Sequence, residues 1–93
     1  MYRLVFSMQA RTDWEYWKQS GNTAIIKKIT ALLKDMTEHP YTGTGKPEPL
    51  KYALSGCWSR RINLEHRIVY RVKETDIEVE IMTMRYHYDR ATK

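Results

Sequence analysis

A glycine- and proline-rich stretch in the middle of the chain most strongly limits how this sequence can fold. Residues 41–56 contain three glycines and two prolines, and at this density neither a helix nor a strand continues for long. Helical periodicity comes before the stretch, and strand-like sequence comes after it. The chain therefore divides into a mostly helical first half and a β-rich second half.

The first half predicts one strand and two helices. Residues 2–7 are β-branched and aromatic, which favours an opening strand. From residue 8 to residue 20 apolar side chains recur at helical spacing, and Gly21-Asn22 separates this helix from a second one. The second helix has the more regular apolar face, formed by Ile25, Ile29, Leu32, Leu33 and Met36. His39-Pro40 ends it, because proline lacks the N–H that a helix needs.

The second half predicts three strands, over residues 57–62, 66–73 and 76–88. Short connections at 63–65 and 74–75 make these strands a meander, and the two preceding helices then cover one of its faces. We therefore predict an α+β fold in which both helices pack on one face of a four-stranded, mainly antiparallel sheet. A single domain spans residues 1–93, with 89–93 as a polar tail.

The charge distribution indicates a polyanionic partner. The formal net charge is +5, and residues 41–71 hold six basic but only two acidic side chains. Such an excess attracts nucleic acid, with a merely solvated basic face as an equal alternative. No apolar run approaches the roughly 18 residues of a membrane span, and no signal-peptide pattern opens the chain. We predict a cytoplasmic protein, and the single Cys57 fits a reducing compartment.

The register of the first hairpin separates two faces of the predicted sheet. A three-residue loop over 63–65 places Arg61 opposite Arg67, and alternation puts Arg71 on the same face. The other face, suited to packing under the helices, carries Trp58, Ile62, Ile68, Tyr70 and Val72. Three arginines on an open face repel one another unless an anion lies there, so we predict an anion site on the face away from the helices.

One carboxylate on the preceding loop is a candidate for chemistry. Glu48 lies between Pro47 and Pro49, and proline holds the neighbouring backbone in an extended geometry. Glu48 is either a surface acid paired with Lys46 or Lys51, or a base held stiffly beside the arginines.

His87 is a candidate acid whose position in the last predicted strand raises a difficulty. Strict alternation puts it on the core side, so it reaches the arginine face only if the strand bulges or leaves the sheet near Arg85. Its neighbours Tyr86 and Tyr88 either stack on bases or pack at a strand end. No Cys/His pair has zinc spacing and no acidic cluster suggests magnesium, so we predict a site without metal.

Taken together, these stretches resemble the YoeB family of bacterial toxin–antitoxin systems, which belongs to the RelE-like superfamily with a microbial-ribonuclease fold. The motifs that carry the resemblance are Gly45-Lys-Pro-Glu-Pro-Leu-Lys51, Trp58-Ser-Arg-Arg61, Glu65-His-Arg-Ile-Val-Tyr70 and Arg85-Tyr-His-Tyr88. They extend over nearly the whole chain, and the first and last are the most specific. This chain continues into residues 89–93, whereas the family pattern stops at the tyrosine that matches Tyr88.

The resemblance implies an endoribonuclease that enters the ribosomal A site and cuts mRNA there without a metal or cofactor. Carried over by motif, Glu48 is the general base, Arg67 stabilises the phosphate, His87 is the general acid and Tyr88 completes the active site. In the same way, Lys51 and Arg61 match positions that support the site or contact RNA. We add Lys46 and Tyr86 as further candidates for RNA contact. The resemblance further implies a YefM-type antitoxin, a homodimer, and operator DNA binding only within the toxin–antitoxin complex.

Two alternatives stand beside this interpretation. A non-catalytic RNA- or ribosome-binding module would block translation by occupancy, but it would gain nothing from an acid such as Glu48 beside RNA phosphates. A DNA-binding co-repressor is the weaker alternative, because the sequence shows no recognition-helix pattern.

Overall fold

The computed structural model of the protein describes residues 1–86, which form two helices and five strands. In chain order the elements are β1 (Arg3–Phe6), α1 (Met8–Ser20), α2 (Thr23–Glu38), β2 (Glu48–Pro49), β3 (Trp58–Arg61), β4 (Arg67–Lys73) and β5 (Glu78–Thr83), with a short 3₁₀ turn at Tyr52–Leu54. The predicted α+β fold is confirmed, and its sheet has one strand more than predicted.

Local capping explains where the two helices begin and where the first one ends. The Ser7 hydroxyl accepts a hydrogen bond from the Ala10 N–H at 3.0 Å, and the Asn22 side chain accepts one from the Ile25 N–H at 3.2 Å. Gly21 ends α1 in the left-handed conformation with φ 73°, which glycine adopts without steric cost. Both helices lie where the sequence predicted them. Within residues 1–86, neither is long and apolar enough to cross a membrane.

The strand order is β1-β5-β4-β3-β2, with β1 parallel to β5 and the other neighbouring pairs antiparallel. The additional strand, β2, is a two-residue piece of the central loop in which Glu48 lies opposite Ser59 of β3. The sequence did not predict β2 because it contains Pro49. Proline is tolerated there because β2 lies at the edge of the sheet.

The last strand is shorter than predicted and irregular. β5 ends at Thr83 instead of continuing to residue 88, and a β-bulge interrupts its pairing with β4 between Val69 and Tyr70. Ile81 is buried before the bulge and Met84 is buried after it, so the side of the chain that faces the core has reversed. A bulge of this kind was required by the sequence analysis for His87 to reach the arginine face. His87 itself lies outside the described residues.

The main core lies between the helices and one face of the sheet. Its buried apolar residues are Ala10, Trp17, Ile29, Leu32, Leu33, Met36, Ile62, Ile68, Tyr70, Val79, Ile81 and Met84. The predicted helix-side face of the hairpin is confirmed, because Ile62, Ile68 and Tyr70 belong to this core while Trp58 and Val72 pack against it.

A smaller apolar cluster covers part of the opposite face of the sheet. Leu50, Cys57 and Val69 are buried there, and Leu54 and Met82 pack against them. Burial raises the pKa of the Cys57 thiol, so the thiol stays protonated at neutral pH and is a poor nucleophile.

Candidate active site

The open face of the β3–β4 hairpin carries the charges that the sequence placed there. Arg61 lies opposite Arg67, which confirms the predicted register, and Glu48 lies opposite Ser59. Residues opposite each other in a ladder point to the same side, as do Ser59 and Arg61, which are two positions apart on one strand. Glu48, Arg61 and Arg67 therefore share the face away from the helices.

Glu48 and Arg67 form the ion pair at the centre of this face. The Glu48 Oε1 atom lies 3.9 Å from Arg67 Nη1, a distance longer than a hydrogen bond but short enough for strong electrostatic attraction. The Arg67 side chain is 12% exposed and the Glu48 side chain 46%. A carboxylate that reaches solvent thus lies beside a cation held within the surface of the sheet.

The chain after β5 runs beside Arg67. The Arg67 N–H donates to the Tyr86 carbonyl at 3.2 Å, and the Tyr86 N–H donates to Nδ1 of His66 at 2.8 Å. Tyr86 is 40% exposed. Its ring lies beside the His66 ring, with 5.5 Å between the centroids, and beside the Arg85 guanidinium, 4.7 Å from its centroid. The two predicted catalytic residues that follow, His87 and Tyr88, lie outside the described residues.

A groove next to the hairpin extends the positive charge. It has a volume of about 450 Å³ and is lined by Lys28, Lys46 and Arg61 around apolar atoms that include those of Ile62. Among the described residues that line it there is no acidic side chain, so the groove is complementary to a polyanion. Lys28 was missed because its position on α2 predicts only a solvated helix face. Lys51 is exposed but does not line this groove.

The third arginine predicted for this face is paired within the sheet. Arg71 Nη2 lies 2.9 Å from Glu80 Oε1, Lys73 Nζ lies 3.6 Å from the same atom, and Arg3 pairs with Glu78. The hydrogen bond from Arg71 is the main cause that lowers the pKa of Glu80. The predicted placement of Arg71 on this face is confirmed. The repulsion inferred for it was wrong, because β5 supplies carboxylates that the hairpin alone does not show.

Arg60 is a supporting residue that the sequence analysis missed. It precedes Arg61 but points to the helix side, where it is fully buried. Its Nη1 lies 2.6 Å from Asp35 Oδ2, and its Nε donates to the Tyr70 hydroxyl at 3.1 Å. Its guanidinium also donates to the backbone carbonyls of His39, Thr42 and Thr44. Arg60 therefore fixes the loop that leads to Glu48.

Asp35 and Gly43 complete the anchor of this loop. Burial acts to raise the pKa of Asp35, but hydrogen bonds from Arg60 and from the Thr44 N–H outweigh burial and hold the pKa below its usual range. A Cβ atom at Gly43 would lie 1.9 Å from Asp35 Oδ2, and the φ of Gly43 is 117°. Only glycine fits this position, because any side chain would both clash and strain the backbone.

The residues that meet around Glu48 are mainly cationic, which disfavours a metal cation beside them. Within residues 1–86 no group of three or more histidine, cysteine, aspartate or glutamate side chains could hold a metal ion. That the protein needs neither a metal nor a cofactor stays a prediction.

Comparison with known proteins identifies the family. The profile of the YoeB-like toxins of bacterial type II toxin–antitoxin systems matches residues 6–88. The chain is also similar to Toxin YoeB of Escherichia coli (strain K12), with 49% identity over 86 residues that cover 92% of this chain and 99% of that protein.

Solved structures agree with the sequence match. The YoeB/ParE toxin from Agrobacterium tumefaciens has a TM-score of 0.85 and 41% identity, covering 92% of this chain and 99% of that one. YoeB from Staphylococcus aureus, solved in a YoeB–YefM complex, has a TM-score of 0.81 and 44% identity, covering 95% and 99%. A YoeB dimer from Staphylococcus aureus has a TM-score of 0.81 and 43% identity, covering 94% and 98%. The chain therefore belongs to the YoeB-like toxins of bacterial type II toxin–antitoxin systems.

Proposed function

We propose that the protein is a ribosome-dependent endoribonuclease that cleaves mRNA in the ribosomal A site and thereby inhibits translation. The observation that carries this proposal is the placement of the Glu48 carboxylate 3.9 Å from the Arg67 guanidinium on the open face. Together these groups supply a proton acceptor and a charge that stabilises a phosphoryl transition state. A protein that only binds RNA through its cations has no use for the carboxylate.

In the proposed reaction Glu48 takes the proton of an RNA 2′-hydroxyl, and that oxygen attacks the adjacent phosphorus. Arg67 stabilises the negative charge that builds up on the phosphoryl oxygens. The bond between phosphorus and the 5′-oxygen then breaks, and His87 donates a proton to that oxygen. The products are a 2′,3′-cyclic phosphate and a 5′-hydroxyl. Tyr88 is assigned to the same site through the family motif, and no metal or cofactor takes part.

The basic groove supports a path for the RNA backbone beside this site. Lys46 and Arg61 line the groove together with Lys28, and these cations contact phosphates in the proposed complex. Lys51 adds charge at the edge, and the exposed Tyr86 ring stacks on a base.

A YefM-like antitoxin and a homodimer are proposed from two S. aureus YoeB structures, one solved with YefM and one solved as a dimer. The antitoxin is expected to bring carboxylates to Arg61 and Arg67, because complementary charge gives fast and specific association. Operator DNA is expected as a partner of the toxin–antitoxin complex alone. A cytoplasmic location in bacteria follows from the proposed substrate.

Toeprinting of a translated message with purified protein and ribosomes tests the proposal. We expect new 3′ ends within the codon in the A site, and we expect them to be absent with ribosomes alone or with the Glu48→Gln variant. If the parent protein stalls ribosomes on intact message, the alternative of a non-catalytic ribosome-binding inhibitor is correct and the nuclease proposal is wrong.

A further inference from the structure

The backbone N–H and carbonyl of Tyr86 are held by His66, the residue before β4, and by Arg67, the first residue of β4. The Tyr86 N–H donates to His66 Nδ1 at 2.8 Å, and the Tyr86 carbonyl accepts from the Arg67 N–H at 3.2 Å. His66 is 8% exposed, and its ring packs edge-on against Trp17 of α1, with 4.9 Å between the ring centroids. Tyr86 is therefore tied to the residue that carries the central guanidinium of the open face.

This geometry requires a particular protonation state of His66. A ring nitrogen that accepts a hydrogen bond from a backbone N–H carries no proton of its own, so the imidazole is neutral with its proton on Nε2. Nε2 lies 3.5 Å from Glu65 Oε1. The imidazolium form has an N–H at both nitrogens, so it cannot accept from Tyr86 and would place two N–H groups against each other.

The residue two positions earlier has an anchor of a different kind. The Met84 N–H donates to Asp13 Oδ2 at 2.8 Å, and the Met84 carbonyl accepts from Trp17 Nε1 at 2.8 Å. These partners are a carboxylate and an indole, so neither hydrogen bond depends on an imidazole. Met84 thus provides an internal reference for what happens at Tyr86.

We propose that His66 is a positioning residue: its neutral imidazole holds Tyr86 beside Arg67, and protonation of the imidazole releases Tyr86 while Met84 stays anchored to α1. The consequence for cleavage rests on the proposed function, because Arg67 acts there on the phosphate. The anchoring itself does not depend on that function.

Charged groups near His66 act on this equilibrium, while α1 presents the uncharged Trp17 ring to it. The Glu65 carboxylate, 3.5 Å from Nε2, favours the imidazolium form, whereas the neighbouring Arg67 disfavours it. Arg85 also disfavours it from the segment after β5, where its guanidinium lies 4.7 Å from the centroid of the Tyr86 ring. The hydrogen bond from the Tyr86 N–H also disfavours the imidazolium form, because it is made only with the neutral imidazole.

Amide hydrogen exchange measured by NMR at about pH 8 and about pH 5 tests the anchoring directly. In the parent protein the protection factor of the Tyr86 amide should fall about tenfold at the lower pH, while that of Met84 stays constant. His66→Asn places an amide oxygen near the position of Nδ1 and does not titrate, so Tyr86 should stay protected at both pH values. His66→Leu should lose this protection at both.

His39→Asn is the matched control, since His39 is exposed at the end of α2 and its replacement should leave the exchange pattern of the parent unchanged. Equal protection of Tyr86 at both pH values in the parent, or full protection in His66→Leu, would overturn the proposal.

Single-turnover cleavage on ribosomes supplies the second readout. His66→Leu should lower the rate about tenfold without weakening ribosome binding, and His66→Asn should restore most of it. If the exchange pattern appears but no variant and not even the parent cleaves mRNA, the positioning role stands and the nuclease proposal fails. If the parent cleaves mRNA and the exchange pattern is absent, the positioning role fails alone.

Discussion

Arg60 and Arg61 are neighbours on β3 that point to opposite faces of the sheet and have opposite surroundings. Arg60 is fully buried beside Asp35 and donates to three loop carbonyls. Arg61 is exposed and lines a groove with other cations. A guanidinium whose charge and N–H groups are all matched within the protein supports the fold. A cationic surface with few carboxylates of its own is suited to binding an external anion.

The largest expected effect is on the cleavage rate, when residues of the open face of the sheet are changed. Glu48→Gln keeps shape and hydrogen bonding but cannot take a proton, so single-turnover cleavage of ribosome-bound mRNA should fall by about 10²–10⁴. The same loss is expected for His87→Gln. Ribosome co-sedimentation should change little, because cations provide the affinity. The control Glu38→Gln changes an exposed acid at the end of α2 and should cleave like the parent; full translation inhibition by Glu48→Gln without cleavage would contradict the nuclease proposal.

For Arg60, on the helix side of the sheet, the expected effect is on stability. Arg60→Met leaves the Asp35 carboxylate without its ion pair. Because the Asp35 side chain is 24% exposed, the loss in the free energy of unfolding should be about 3 kcal/mol, the low end for breaking a buried pair. Arg61→Met changes an exposed residue and should cost no more than about 0.5 kcal/mol. Urea denaturation of both variants measures the difference. Similar values for the two would show that the buried network contributes little.

A second pair of arginines compares two positions on the open face itself. Arg67→Ala should lower the single-turnover cleavage rate by about 10²–10³, because the guanidinium faces charge that develops in the transition state. Arg71→Ala should stay within about twofold, since Arg71 is paired with Glu80 and a surface pair contributes little. An equal loss of rate in both variants would mean that the compensated end of the face also binds substrate.

A smaller effect is expected from replacing Asp35, on the pH dependence of the free energy of unfolding. Its pKa in the folded protein is lower than the unfolded value of about 3.9, so ionised Asp35 stabilises the fold above about pH 4 and this contribution is lost as the pH falls through the folded pKa. Asp35→Asn should be less stable at neutral pH and should lose less stability on acidification. Urea denaturation at a series of pH values measures this, and an unchanged slope would contradict the role of Asp35.

The smallest effect is expected at the C-terminus. Residues 89–93 are polar and carry no helix or strand pattern, so their deletion should leave the cleavage rate within about a few-fold of the parent. A loss as large as that of His87→Gln would mean that this segment contributes to the active site.

Much of the fold could be predicted because it depends on local sequence patterns. Helical periodicity and the caps at Ser7 and Asn22 set the two helices. The three-residue turn set the register that pairs Arg61 with Arg67. The edge strand β2 escaped prediction, because two residues that include a proline carry no strand pattern and pair only when β3 is already in place.

By itself, then, the sequence determined which side of the β3–β4 hairpin faces the helices, since side chains alternate with a period of two residues wherever no bulge intervenes. The tertiary structure alone decided that Asp35 matches Arg60, that Glu80 neutralises Arg71 and that Lys28 joins the groove. Each of these is a contact between distant parts of the chain, and electrostatic energy depends on distances that only the packed fold sets.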